Sequence, residues 1–192
     1  MTRTNAREIA LHFMFELAFS KHSAESLLEE RLTQEHFAQM KDESRLYYQY
    51  PNKKQADYIR ALVEGAFLHS PELDEYIASY AQGWSFHRIP KVIAALLRIA
   101  MFEILYVPEI PDSVAINDAL EIAKGYDDPE LISFMNGILG NFVRSELKNT
   151  PERPSDFKED VFDLEDVQGE SELPPEEGEE AKEEPVEATK EG

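Results

Sequence analysis

Apolar residues recur along this chain at the spacing of helices, and no segment alternates with the period of a strand. Asn5 and Glu8 have the spacing of a capping box, and the helix they predict runs to about Phe19. Ile9, Phe13 and Leu17 follow at steps of four, with Ala6, Ala10 and Phe15 beside them. A second amphipathic helix is predicted from Ser23 to about Leu32. A third runs from Gln55 to His69, with Ile59, Leu62, Val63 and Ala66 on one side. Gly65 sits in its middle and predicts close packing by another helix. Pro71 begins a fourth, carrying Leu73, Ile77 and Tyr80. Pro90 opens a fifth, Lys91 to Tyr106, which is apolar nearly all round and therefore central. Its conspicuous charges, Arg98 and Glu103, are expected to pair with other elements or to reach the surface. The pattern predicts an all-α body of about seven helices.

The stretch from Pro111 to Leu139 is the most ordered part of the pattern. Pro111 and Asp112 open one helix, with Ile116, Ala119, Leu120 and Ala123 as its apolar face. Gly125 stops it, and Asp127-Asp128-Pro129 restarts the chain. Phe134, Ile138 and Phe142 form the apolar face of the next helix. Asn136 and Gly137 interrupt that apolar run, and an amide and a glycine inside a helix each carry a cost. The expectation is that Asn136 turns inward to a polar partner such as Asn117, and that another helix approaches Gly137. Trp84, in the connector before Pro90, is expected in the core.

Composition divides the chain in two. The net charge is −20 over 192 residues, and 17 of the 39 acids lie between Thr150 and Gly192. That stretch is rich in Glu and Pro and poor in bulky apolar residues. It cannot bury enough surface to offset its ordering entropy, so residues 150–192 are expected to be a disordered acidic tail. Residues 1–149 form one domain, or two small subdomains sharing a core. There is no cysteine, which removes disulfides and thiolate metal sites. No apolar run approaches the ~20 residues of a membrane span, and no signal peptide is visible, so a cytoplasmic protein is expected.

Candidate chemistry is sparse. The five histidines show no metal-ligand spacing, and there is no phosphate-cradling glycine loop and no nucleophile motif. No catalytic residue, metal or cofactor is expected. Arg3 and Arg7 lie at the start of the first helix, where a cation opposes the helix dipole and no internal partner is obvious. They are candidates for contact with something outside the fold. Lys41, Arg45, Lys53 and Lys54 interleave with Tyr47, Tyr48 and Tyr50, a combination that suits single-stranded RNA. Asp42 and Glu43 dilute that charge, so a loop whose tyrosines pack on the core is the preferred reading.

Several of these segments together resemble the NusB family of bacterial transcription antitermination factors. The resemblance begins with Ala6-Arg7-Glu8 and Ala10, and continues with Leu62-Val63-Glu64-Gly65, Leu73-Asp74, Ile77, Trp84 and Arg88-Ile89. It is most specific in Leu97-Arg98-Ile99-Ala100 with Phe102-Glu103, in Val114 to Ala119 with Glu121 to Lys124, and in Phe134 to Leu139. It covers about residues 3–147. It implies two small helical bundles packed side by side and no enzymatic activity. It also implies binding of the boxA element of nascent RNA together with a small-subunit ribosomal protein, called NusE in this role. That complex joins RNA polymerase and other Nus factors in processive antitermination, notably of ribosomal RNA operons. The RNA surface it implies uses Arg3, Arg7, His12 and Phe15, with Glu130 and Phe134. His12 and Phe15 stand where the family often has glutamine and tyrosine, and Leu131 where it often has serine. Many relatives begin with a run of arginines, where this chain has only Arg3 and Arg7, so weak RNA binding by the body alone is expected. Two other classes remain: a helical scaffold that binds only protein, and a domain of the kind attached to ribosomal RNA cytosine methyltransferases.

Overall fold

A computed structural model describes residues 1–126 and 129–146. Among them lie eight α-helices and two 3₁₀ turns, and no strand. The helices are α1 (Arg3–Leu17), α2 (Ala24–Arg31), α3 (Gln34–Met40), α4 (Lys53–Leu68), α5 (Ser70–Tyr80), α6 (Lys91–Tyr106), α7 (Asp112–Ala123) and α8 (Pro129–Glu146). The expected acidic tail falls outside the described residues, as does the Asp127-Asp128 pair.

Start signals in the sequence set most boundaries. Ser23 caps α2 by accepting from the Ser26 amide, and Asn52 and Gln55 form a reciprocal capping box on α4. Pro90 and Pro111 immediately precede α6 and α7. The cap of α1 is a correction: Thr2, rather than Asn5, accepts from a backbone amide, that of Asn5 itself. The helix therefore begins at Arg3 and leaves Glu8 outside its first turn. A second correction is α3, capped by Thr33 inside the stretch expected to be a loop. The aromatic packing expected there does occur. Tyr47 and Phe37 are buried, and Tyr50 donates its hydroxyl proton to the Leu32 carbonyl, while Tyr48 stays exposed.

Helices α1 to α4 make one bundle and α5 to α8 the other. Helix α6 belongs to both, packing on α1 and α4 on one side and on α5, α7 and α8 on the other. Eleven of its sixteen residues are buried, as its all-round apolar pattern requires. The two bundles accordingly share one continuous core. Gly65 explains how closely α4 and α6 approach. A Cβ there would lie 2.0 Å from Cζ of Phe102, so only hydrogen fits.

Two packing expectations are overturned. Helix α8 buries Met135, Ile138, Leu139 and Phe142, a complete i, i+3, i+4, i+7 face. Asn136 and Gly137 fall outside that face and are exposed, and no atom comes within 4 Å of a Cβ built on Gly137. Trp84 is 41% exposed, because it lies after α5 and packs one side of its ring against Phe134, 5.0 Å between centroids.

Candidate nucleic-acid interface

The residues implied as an RNA surface start from α1. This helix buries Ala6, Ile9, Ala10, Phe13, Met14 and Leu17 against α4 and α6. What it leaves outside is a strip formed by Glu8, His12 and Phe15, spaced at four and three residues and so stacked along one side, with Phe19 beside Phe15 in the turn after the helix. Phe15 is 40% and Phe19 69% exposed, and their rings meet edge to face at 5.1 Å. Exposed aromatic pairs offer flat apolar faces on which bases stack.

Arg7 does not belong to this strip. It is 1% exposed and faces the interior, where its Nε donates to Oε2 of Glu103 at 2.6 Å. Its Nη1 donates to Oδ2 of Asp118, which also accepts from the Thr4 hydroxyl. The Tyr58 hydroxyl donates to the other Glu103 oxygen, and the Arg7 guanidinium lies 5.9 Å from the centre of the Tyr58 ring. Burial works against the Arg7 charge, but Glu103, Tyr58 and Asp118 more than offset it, so its pKa stands above the ordinary arginine value. Burial, and then Glu103, push the Tyr58 hydroxyl well above the usual tyrosine range. The expectation that Arg7 lacks an internal partner is therefore corrected: it joins α1 to α4, α6 and α7. Arg3 is 8% exposed, in the first turn of α1. Arg98, the other α6 charge, pairs bidentately with Asp74 of α5 at 2.7 and 2.8 Å.

A second cluster sits on the outer strip. His12 Nδ1 lies 2.9 Å from the Tyr47 hydroxyl, and His12 Nε2 lies 2.7 Å from the Tyr126 hydroxyl. Tyr126 in turn donates to Oε1 of Glu8 at 2.8 Å. The turn after α7 is thereby held over α1, with the Tyr126 ring 38% exposed. Burial pushes the His12 pKa down, and Glu8 partly opposes this. Burial, with Glu16 and Glu8 adding to it, raises Tyr47 to about 12. Tyr126 is raised for the same first reason, helped by its hydrogen bond to Glu8.

Glu130 and Phe134 lie in the first turns of α8, which starts soon after Tyr126. Glu130 is exposed, and Phe134 is partly buried against Trp84. The structure thus joins His12 of α1 to Tyr126 in the turn after α7, and it gives Phe15 an exposed place on the same strip. It removes Arg7 from that strip, and it buries Arg3, one turn earlier on the same side of α1, as well. The sequence pointed to Tyr47 only as one of several interleaved tyrosines, and gave no sign of Tyr126 or of the pairing of Arg7 with Asp118. These side chains meet across long stretches of chain, which no periodicity reports. The basic residues Lys41, Arg45, Lys53 and Lys54 are all exposed. Among the described residues no group of three or more His, Asp or Glu could hold a metal ion, and no helix is long and apolar enough to cross a membrane.

The chain matches the NusB family over residues 4–144. A transcription antitermination protein NusB from Symbiobacterium thermophilum is 36% identical over 144 residues, covering 75% of this chain and 90% of the relative. One of the same name from Carboxydothermus hydrogenoformans is 40% identical over 140 residues, covering 73% and 91%. Among solved structures, NusB of T. maritima superposes with a TM-score of 0.63 at 27% identity, covering 76% of this chain and 92% of that one. The antitermination factors NusB and NusE in complex with double-stranded RNA include a chain that shares the fold, with a TM-score of 0.59 at 22% identity and coverage of 74% and 96%.

Proposed function

The chain belongs to the NusB family, and from that premise we propose that it is a transcription antitermination factor. It binds boxA-type RNA of nascent transcripts together with a small-subunit ribosomal protein, NusE, and acts with RNA polymerase and other Nus factors to promote processive transcription, notably of ribosomal RNA operons. Its role is binding and assembly, not catalysis, in the cytoplasm. The observation that carries this reading is the family match over residues 4–144, which spans nearly all the described residues. The relatives above bear the name of antitermination proteins, and one structure of the same fold holds NusE and RNA.

The RNA surface is formed by the outer strip of α1 with the turn after α7 and the start of α8. His12, Phe15, Glu130 and Phe134 lie within it, and the exposed ring of Tyr126 joins them, whereas Arg3 is buried on the side of α1 that Arg7 occupies. Arg7 contributes from behind, by fixing α1 to the core. With Arg7 turned inward the strip holds little positive charge, and electrostatic affinity for phosphates is correspondingly low. The ribosomal partner supplies the rest of the binding surface.

The same scarcity of cations favours one alternative, a scaffold that binds protein only. A gel-shift titration with boxA RNA, with and without the ribosomal protein, separates the two. Binding that strengthens when the ribosomal protein is added is the expected result. Absence of binding under both conditions overturns the RNA reading and leaves the scaffold.

A further inference from the structure

We propose that His12 is a positioning residue: held as the Nε2–H tautomer, it pins Tyr126, and with it the turn after α7, over the outer strip of α1. This rests on the RNA-binding reading above and assigns His12 a task within that surface other than touching RNA.

The tautomer follows from counting protons. The Tyr126 hydroxyl has one, and it goes to the Glu8 carboxylate, an acceptor only. Towards His12 the same oxygen must therefore accept, so Nε2 carries the imidazole proton. A neutral imidazole has one N–H, which leaves Nδ1 as a lone pair. The Tyr47 hydroxyl, 2.9 Å away, must then donate to it. The result is a one-way chain: Tyr47 donates to His12, His12 to Tyr126, and Tyr126 to Glu8. Every proton has one acceptor, and both ring nitrogens are occupied.

The geometry surrounding the chain favours this state. Tyr47 is 3% exposed and wedged against Phe37 of α3, with ring centroids 5.0 Å apart. Its hydroxyl has little freedom to reverse. Around His12 stand Glu8 and Glu16 of α1, Tyr47 from the turn after α3, His36 of α3 beside Tyr47, and Tyr126 from the turn after α7. Protonating His12 would put a hydrogen on Nδ1, opposite the Tyr47 hydroxyl proton, and break the direction of the chain.

The consequence concerns Tyr126. Its hydroxyl is held at both lone pair and proton, while its ring stands edge-on to His12 at 87° and remains partly open to solvent. A ring fixed at its hydroxyl and open on a face is a ready stacking platform. A nitrogen-bearing side chain with one donor and one acceptor is needed at position 12 to hold it.

The test is RNA titration with the ribosomal protein present, using short single-stranded boxA RNA. Wild type is compared with His12→Leu, His12→Gln, Tyr126→Phe and the His12→Leu/Tyr126→Phe double variant, with thermal unfolding as a folding check. His12→Leu should bind about three- to tenfold more weakly, the worth of a hydrogen bond. His12→Gln should stay near wild type, because an amide offers a donor and an acceptor. Tyr126→Phe keeps the ring but loses its hydrogen bonds to both His12 and Glu8, so it should lose at least as much as His12→Leu, and the double variant should lose nothing beyond Tyr126→Phe. Multiplying losses in the double variant, or wild-type binding by His12→Leu, would overturn the assignment. Nitrogen-15 NMR of the imidazole should show Nε2 protonated and Nδ1 bare in the neutral form, and the reverse would overturn it independently of RNA. If wild type binds no RNA, the proposed function falls, and the NMR result alone decides whether the pin exists.

Discussion

Arg7 and Glu8 are neighbours in sequence, yet they anchor two networks of opposite character. A helix turns about 100° per residue, so one points into the core and the other onto the surface. Arg7 holds Glu103, Asp118 and Tyr58 in a cluster where Arg7 and Glu103 are almost wholly buried. Glu8 ends a relay through Tyr126 and His12 to Tyr47 that solvent can partly reach. Both use charge-assisted or hydroxyl hydrogen bonds, and both tie α1 to distant segments. What differs is the fate of a group that loses its partner. In the interior a stranded charge has no water to turn to, whereas on the strip it does. The inner cluster is therefore a structural fastener, and the outer relay is cheap enough to break that it can serve recognition.

The hardest test of this contrast is Glu103→Leu. It takes away one of the two carboxylates that hold Arg7 and the acceptor of the Tyr58 hydroxyl, and a loss of about 3–5 kcal/mol is expected. Thermal unfolding should show a drop on the order of 10 °C. Arg7→Ala should be similarly damaging, contrary to what a solvated arginine would give. Pairing Arg7→Met with Glu103→Leu should lose less than the sum, because the two charges leave together. Wild-type stability in either single variant would show that the cluster is no fastener.

Next in size is Gly65→Ala. The added methyl would collide with the Phe102 ring, one residue before Glu103, and the strain should amount to about 1–3 kcal/mol. This sharpens the contrast by showing whether the interior around Glu103 is rigid. If chemical denaturation finds no change, α4 and α6 separate easily and the burial of Glu103 is less secure than its geometry suggests.

On the outer side, Tyr126→Phe should cost only about 0.5–1 kcal/mol of stability, since water replaces the lost hydroxyl contacts. A larger loss in urea unfolding would make the relay a second fastener. Acid provides a milder probe of the same region. Burial lowers the folded pKa of both His12 and His36 below 6.5. In the interval between the folded value and 6.5 the unfolded chain binds more protons, so stability should fall as pH drops through 6.5 and level off below the folded value. His12→Gln should flatten part of that slope, leaving the share of His36. An unchanged slope would mean that His12 titrates as freely folded as unfolded. The smallest effect is expected from Asn136→Leu, within about 0.5 kcal/mol, because that side chain faces solvent on α8. Any clear loss in melting temperature would place Asn136 in a packed contact after all.

By itself the sequence determined the α-helices other than α3, their order and their family. Periodicity is a local property, and the residues that set it lie within a turn or two of one another. The spacing of Ile59, Leu62, Val63 and Ala66, and the unbroken apolar run of α6, therefore translate directly into buried faces. Proline and capping residues fix helix starts for the same reason, and a lone glycine in α4 announced a close contact. The tertiary structure decided which way single polar residues face and whom they meet. Asn136 looked inward only because its neighbours were apolar, and it turned outward because Met135, Ile138, Leu139 and Phe142 had already filled the buried face. Trp84 looked like core by size, but its place in a connector left one side of its ring uncovered. Arg7 meets Glu103 across 96 residues and Asp118 across 111, and His12 meets Tyr126 across 114. Only the packing of α1 against α4, α6 and α7 brings such groups together, because hydrogen bonds form at 3 Å while sequence patterns reach no further than the next turn of helix.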